Sequence, residues 1–216
     1  SWFRLDGVAE RGVRVAVATV TFVVEPLFFP GGDIGSLAVN GTVNDLAMGG
    51  ARPLYLSCGF VLEEGLATAT LERVVQSMAA AAIAAGVAIV TGDTKVVPRG
   101  KADQIFINTT GIGVVPIGAL PTMGAIAPGD VVLLNGYLGD HGAAILVARG
   151  ELAIEAEIAS DCQPLADLVA AILAACPETK ALRDATRGGL AAVLHEFAQA
   201  ARLGIRLEET ALPVRE

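Results

Sequence analysis

The stretch from Phe28 to Pro53 (FFPGGDIGSLAVNGTVNDLAMGGARP) constrains this chain more than any other. Pro30-Gly31-Gly32 reads as a turn, because glycine permits positive φ and proline fixes its own φ. Asp33 can cap a helix that follows, and Gly49-Gly50 with Pro53 ends it. Inside, Ile34, Ala38 and Gly41 recur at spacings of four and three, and Asp45 is the next member of that face. A carboxylate on a buried face is costly unless a cation or hydrogen-bond donors meet it. Asn44 sits beside it. The alternative is that Asp45 lies past a frayed last turn and caps a loop, and this stretch leaves both readings open.

Composition bounds what such a helix can belong to. The chain has 216 residues, enough for one or two domains with a core. It is 53% hydrophobic, yet much of that is Ala and Val scattered among charges. No run approaches the roughly 18 apolar residues of a membrane helix, and the richest segment, Met78 to Val90, is broken by Gly86. Ser1 to Asp6 has no apolar region of a signal peptide. The net charge of −8 argues against a nucleic-acid partner. It leaves room for nucleotides, which reach acidic proteins through a metal ion. Cys58, Cys162 and Cys176 show no metal or redox spacing, and their odd number points to a reducing cytoplasm.

Strands and helices alternate along the chain, an α/β or α+β pattern. Val13 to Val24, rich in β-branched residues, reads as a strand, and so do Leu54 to Leu62, Val87 to Val90 and Ile105 to Val115. Leu71, Val74, Val75, Met78 and Ala82 make one stripe of a helix over Ala69 to Ala85. Pro116 to Gly129 is rich in Gly and Pro and reads as a domain junction. Beyond it, strands are expected at Val131 to Asn135, Ala181 to Arg183 and from Gly204 to Leu207. Helices are expected at Ala143 to Arg149, Leu165 to Ala175 and Leu190 to Ala201.

Two strand or helix ends carry chemistry. Asp93 follows an apolar strand within Gly-Asp-Thr-Lys. Its carboxylate suits Mg²⁺, Thr94 adds a hard oxygen and Lys95 can meet phosphate charge; an exposed turn is the plain alternative. Asp184-Ala185-Thr186-Arg187-Gly188-Gly189 is a strand-to-helix turn. Backbone N–H groups at a helix start favour anions, and Arg187 adds a fork for phosphate; an N-cap with glycines for close packing competes with this. His141, in Gly-Asp-His-Gly, reads as a loop residue and His195 as structural. Glu63-Glu64 reads as a solvated strand end. No Gly-x-x-x-x-Gly-Lys-Ser/Thr occurs, which excludes a P-loop. Gly111-Ile112-Gly113 lacks the third glycine of a dinucleotide fingerprint. Nothing resembles a Ser/His/Asp triad.

Six segments in this order resemble one family: FFPGGDIG (28–35), GTVNDLAMGGA (41–51), TGDTKVV (91–97), NTTGIGVV (108–115), GDHG (139–142) and RDATRGGL (183–190). They resemble the HypE hydrogenase maturation factors of the aminoimidazole ribonucleotide synthetase-like superfamily. The resemblance implies a two-domain α+β fold, with residues 1–118 as an ATP- and metal-binding, dimerising domain and 119–216 as a second α+β domain. The first domain's sheet would pair across a homodimer into a barrel. It implies an ATP-dependent lyase, a carbamoyl dehydratase that turns a thiocarboxamide on a C-terminal cysteine into a thiocyanate, a source of cyanide for the iron of [NiFe] hydrogenase. ATP and Mg²⁺ are the implied cofactors. A carbamoyltransferase and an iron-carrying scaffold complex are the implied partners, with no membrane.

Carried over by position, Asp45, Asp93 and Asp184 are the metal carboxylates and, with Lys95, the catalytic set. Asn44, Thr42, Thr94, Lys95, Thr186 and Arg187 fall to the nucleotide and its phosphates. The departures matter. The family's first strand continues Thr-Asp, whereas here Thr19 is followed by Val20, which removes a metal carboxylate unless Asn44 or Thr42 compensates. The glycine-rich N-terminal loop, the end of the second domain and the acceptor-cysteine tail are not in the sequence, and the internal cysteines cannot replace the last. The chain is therefore expected to be the ordered part of a longer protein. A thiamine-monophosphate kinase or selenophosphate synthetase type of enzyme, or a scaffold that has lost its metal site, are the alternatives.

Overall fold

A computed structural model describes residues 14–116, 121–151 and 158–215 of the chain. The expected junction falls partly outside them, at 117–120.

Period-two alternation sets the sheet. In β1 (Arg14–Phe22) Val15, Val17, Thr19 and Thr21 face one side, while Ala16, Ala18, Val20 and Phe22 face the other. β1 pairs antiparallel with β6 (Ile105–Val115), and β6 pairs antiparallel with β4 (Arg52–Glu63). β4 pairs parallel with β5 (Ala88–Val97), so the strand order is β1-β6-β4-β5. The parallel step needs a crossover, and α2 (Thr68–Ala84) supplies it. Val74, Met78 and Ala82 form its buried stripe, whereas Val75 falls off that stripe and is exposed.

The first element that the sequence marks forms as expected. A two-residue ribbon, β2 (Phe28–Phe29) and β3 (Gly32–Asp33), turns through Gly31 at φ +87. α1 (Ile34–Met48) follows. Asp33 Oδ1 accepts from the Gly35 and Ser36 amides at 2.7 and 3.1 Å, and Ser36 Oγ accepts from the Asp33 amide at 3.0 Å. Such a reciprocal cap contributes about 1 kcal/mol. The buried stripe of α1 differs from expectation. It is Ile34, Ala38, Val39, Thr42, Val43, Leu46 and Ala47, with Asp45 on the adjoining, half-buried flank.

α1 lies across β1, β6 and β4. The contact is close because β6 offers Gly111 there: a Cβ would sit 2.7 Å from Leu46 Cδ1 and 2.8 Å from Thr42 Cγ2. Two fully buried hydroxyls join the layers. Thr109 Oγ1 donates to the Ala38 carbonyl at 2.9 Å. Thr42 Oγ1 lies 2.6 Å from Thr109 Oγ1. Thr109 has one proton and has spent it, so Thr42 is the donor of that pair.

Four expectations fail. β5 does not stop at Val90 but runs on to Val97, through a bulge between Leu56 and Ser57 of its partner, with Gly59↔Asp93 and Val61↔Lys95 in register. Asp93 therefore stands inside an edge strand, because β4 is long enough to pair the whole Thr-Gly-Asp-Thr-Lys segment. Beyond the sheet the described elements are α3 (Asp140–Ala148), α4 (Ala166–Ala175) and α5 (Gly189–Ala201) with short 3-10 turns. The strands expected at 131–135, 181–183 and 204–207 do not form: among the described residues these segments enter no ladder. Val131 and Leu133 are left 81% and 87% exposed. Among the described residues, no helix is long and apolar enough to cross a membrane.

The Gly111 contact gives a direct test of this packing. Gly111→Val is expected to cost about 1–3 kcal/mol through overpacking against Leu46 and Thr42. Urea unfolding should show a lower midpoint at an unchanged slope; an unchanged midpoint would refute the tight contact.

Candidate functional site

The polar flank of α1 meets the second half of the chain. Asn40 and Asn44, one turn apart, both face the segment that leads into α4. Asn44 Nδ2 donates to the Gln163 carbonyl at 3.0 Å, and its Oδ1 accepts from the Leu165 amide at 2.8 Å. Asn40, 4% exposed, donates through Nδ2 to Cys162 Sγ at 3.5 Å, and its Oδ1 has no partner among the described residues. The Ser160 amide donates to the Pro30 carbonyl at 2.8 Å. Ser160 Oγ accepts from the Cys162 amide at 3.1 Å and lies 2.9 Å from His141 Nδ1. Burial lowers the His141 pKa, opposed by Asp161, so the ring is neutral at neutral pH. Burial raises the Cys162 pKa, which keeps a thiol there.

Asp45 stands beside Asn44 on this flank. Its charged neighbours are Asp184, Arg183 and Arg187, from the turn that enters α5. Burial raises the Asp45 pKa most and Asp184 adds to it, while Arg183 and Arg187 pull it down. Asp184 has only 10% of its side chain exposed and accepts from Arg183 Nη1 at 2.9 Å. Arg183 Nε also reaches Glu196 Oε2 on α5 at 3.0 Å, so the turn is braced on its own helix. Gly188, at φ +79, starts α5 with no side-chain cap, and the Gly189 amide turns back to donate to the Thr186 carbonyl at 3.0 Å. Counting Glu196, three carboxylates meet two guanidiniums here, a net negative cluster of the kind that suits a cation together with phosphate oxygens.

Asp93 lies elsewhere. It pairs with Gly59, which pairs with Asn108, on the sheet face opposite Cys58 and Thr109, the face that packs under α1. Lys95 Nζ sits 2.7 Å from Asp93 Oδ2, and the Thr94 amide donates to Oδ1 at 2.9 Å. The Lys95 hydrogen bond, with Thr94 second, lowers the Asp93 pKa. Both side chains are about seven-tenths exposed. Within one chain, then, Asp45 and Asp184 lie within electrostatic reach of each other, and Asp93 with Lys95 stands on the opposite face of the sheet. Thr42 is fully buried with its proton given to Thr109, so it cannot touch a nucleotide directly and serves as a support. Asn44 is spent on the 163–165 backbone. Thr186 and Arg187 sit exposed on the turn. Among the described residues no group of three or more His, Cys, Asp or Glu side chains could hold a metal. Two carboxylates suffice for Mg²⁺ when phosphates complete its shell, so the residues present fit that ion.

Sequence reasoning missed Arg183 as the brace of Asp184 and missed the Asn40–Cys162 and His141–Ser160 contacts. For Arg183 a signal existed: it precedes Asp184 directly, and Glu196 lies on the predicted helix beyond. For the others none did, since their partners are distant in sequence.

Comparison with known proteins gives the family. The N-terminal domain of the AIR synthase related proteins matches residues 6–115, and the C-terminal domain matches 127–216. The carbamoyl dehydratase HypE of Rhodobacter capsulatus is 58% identical over 207 residues, covering 96% of this chain and 61% of that protein. A hydrogenase maturation protein HypE solved in complex with ATP is 53% identical at a TM-score of 0.91, covering 94% of this chain and 61% of its own. A HypE–HypF complex includes a chain 50% identical at a TM-score of 0.90, covering 94% of this chain and 66% of its own. The chain thus spans about three-fifths of the length of the curated relative it matches. With both halves matched, the chain belongs to the AIR synthase related family and, within it, resembles the HypE proteins.

Proposed function

We propose that this chain is the ATP-handling part of a carbamoyl dehydratase in [NiFe] hydrogenase maturation. The observation that carries the reading is the Asp45–Asp184 pair flanked by Arg183 and Arg187 where α1 meets the turn into α5. The ATP complex of a relative supports it. The proposed domains are residues 1–118 and 119–216, with the site between them.

The chemistry needs a leaving group. An amide oxygen leaves poorly and phosphate leaves well. The thiocarboxamide oxygen attacks the γ-phosphorus of ATP and ADP departs. The O-phosphorylated carbon then loses phosphate while nitrogen loses its protons, and a carbon–nitrogen triple bond remains as thiocyanate. Asp45 and Asp184 would hold Mg²⁺, which supplies charge neutralisation to the phosphate oxygens when bound. Arg187, exposed on the turn into α5, would hold the transferring phosphate. Packing of the 160–165 segment on α1 keeps water from the seam.

Asp93, Thr94 and Lys95 enter through a second copy of the chain. Asp93 and Lys95 share the open sheet face with Val15, Val17 and Ile112, a mixed apolar and polar surface that suits sheet-to-sheet association, while Thr94 alternates to the other face beside Phe60. In the proposed homodimer this face would close into a barrel and carry Lys95 to the partner's phosphates. The structure of a relative with HypF supports a carbamoyltransferase partner, and an iron-carrying scaffold would receive the cyanide. The rival reading, a scaffold without catalysis, is favoured by one observation: Val20 faces α1 and packs on the core where the family carries an Asp.

Calorimetry on the full-length protein separates these. Saturable ATP binding that requires Mg²⁺ is expected, weakened at least tenfold by Asp45→Ala or Asp184→Ala. No heat from Mg-ATP would favour the scaffold. Val20→Asp is expected to tighten Mg²⁺ binding by returning a third carboxylate. The raised Asp45 pKa also predicts a pH effect. A raised carboxyl pKa means that the folded chain binds the proton better than the unfolded chain. This group's contribution to stability therefore falls as pH rises from the ordinary carboxyl value through the raised one. Asp45→Asn should be more stable than the parent above that window, by chemical denaturation, while losing Mg-ATP binding. Equal stability at neutral pH would contradict the burial of charge at Asp45.

A further inference from the structure

The start of α4 carries an unusual cap. Its N-cap position is Leu165, which has no side chain able to accept from the helix's orphan amides. The Leu165 amide is satisfied from another helix: Asn44 Oδ1 accepts from it at 2.8 Å, while Asn44 Nδ2 donates to Gln163 O at 3.0 Å. Both hydrogen-bonding ends of one amide are thus used on the backbone of one short segment. Asn40, one turn back on α1, meets the same segment at Cys162. Asp45 follows Asn44 directly in α1, and α4 leads, through Cys176 and the Lys180–Asp130 ion pair, into the turn that bears Asp184.

We propose that Asn44 is a positioning residue: by capping α4 from α1, it fixes the separation between Asp45 and the Asp184 turn. This rests on the reading of Asp45 and Asp184 as the pair that holds cation and phosphate. It departs from the expectation that Asn44 touches the nucleotide or replaces a lost metal ligand. Both of its polar ends are occupied, and what they hold is backbone. A side chain that only stabilised the fold would not need to sit beside Asp45. A direct ligand would have to use the second lone pair of Oδ1 while that oxygen still holds the Leu165 amide.

Three measurements on the full-length protein test it, with Asn44→Ala and Asn44→Asp. Hydrogen exchange reads the cap itself. Amides of Leu165 to Val169 are expected to exchange at least tenfold faster in Asn44→Ala. Asn44→Asp keeps the acceptor and should protect Leu165 while still loosening the Gln163 contact. Carboxyl NMR reads the site without activity: the Asp45 midpoint is expected to fall in Asn44→Ala, because Asp45 gains solvent and moves from Asp184. Turnover of ATP is expected to lose at least tenfold in kcat, with KM for ATP changed less than threefold.

Unchanged exchange together with an unchanged Asp45 titration overturns the proposal. So does faster exchange with Asp45 titration and kcat both intact, which makes the cap merely structural. A large rise in KM at intact kcat overturns it in favour of a direct ligand. If Asn44→Ala does not fold, the Asn44→Asp exchange pattern decides: Leu165 must stay protected. Absence of ATP turnover in the parent protein defeats the functional reading instead, and the exchange and carboxyl data still judge the clamp.

Discussion

A helix laid on a sheet has one face committed to apolar neighbours, and everything else it does must come from its flanks. α1 is in that position. Ile34, Val39, Val43 and Leu46 are spent on the sheet and on α2. Burying them contributes on the order of 2 kcal/mol each, and this fixes the rotation of the helix about its own axis. Thr42 and Thr109 narrow it further, because a buried hydroxyl without a partner would cost about 1–3 kcal/mol. With rotation fixed, Asn40, Asn44 and Asp45 have no choice of direction. They face the 158–165 segment and the turn into α5.

That geometry explains a charge placed against its own stability. Asp45 is desolvated and sits near a like charge, an arrangement that folding alone does not favour. Two guanidiniums offset part of it, and Arg183 is divided between Asp184 and Glu196. Perturbed carboxylates in a polar seam are where chemistry is found more often than in a core. By contrast Cys58 is pushed up to about 11 by plain burial, has no charged partner and belongs to the core. The two cases share a direction of shift and differ in the company they keep.

Much of the first half was legible from local signals. The Asp33 cap, the turn at Gly31, the α2 stripe and the β1 and β6 alternation each lie within a few residues of their cause. The flank role of Asp45 was half legible: the spacing put it near a face, but the true stripe runs through Thr42 and Leu46, whose partner Gly111 is distant in sequence. The extension of β5 was hidden for the same reason. Thr-Gly-Asp-Thr-Lys has the composition of a turn, and only the length of β4 beside it makes it strand. In the second half, apolar runs such as Val131–Leu134 have strand composition, yet a strand exists only through a neighbour. Composition cannot report whether that neighbour is present.

The placement of Asp93 then becomes an argument rather than an anomaly. Edge strands invite pairing with other chains, and charged residues on them are a common defence. An Asp–Lys pair on the edge of β5 satisfies that need. It does not explain why the pair stands on the open face beside Gly59, where a small residue leaves room above the sheet. A defended edge requires charge alone, whereas a face that receives another surface requires charge, room and apolar ground together. The β1 side of the same face supplies the apolar ground in Val15 and Val17. One sheet thus carries the exposed Asp93–Lys95 pair on its open face, and on its other face it carries α1, whose flank bears Asp45.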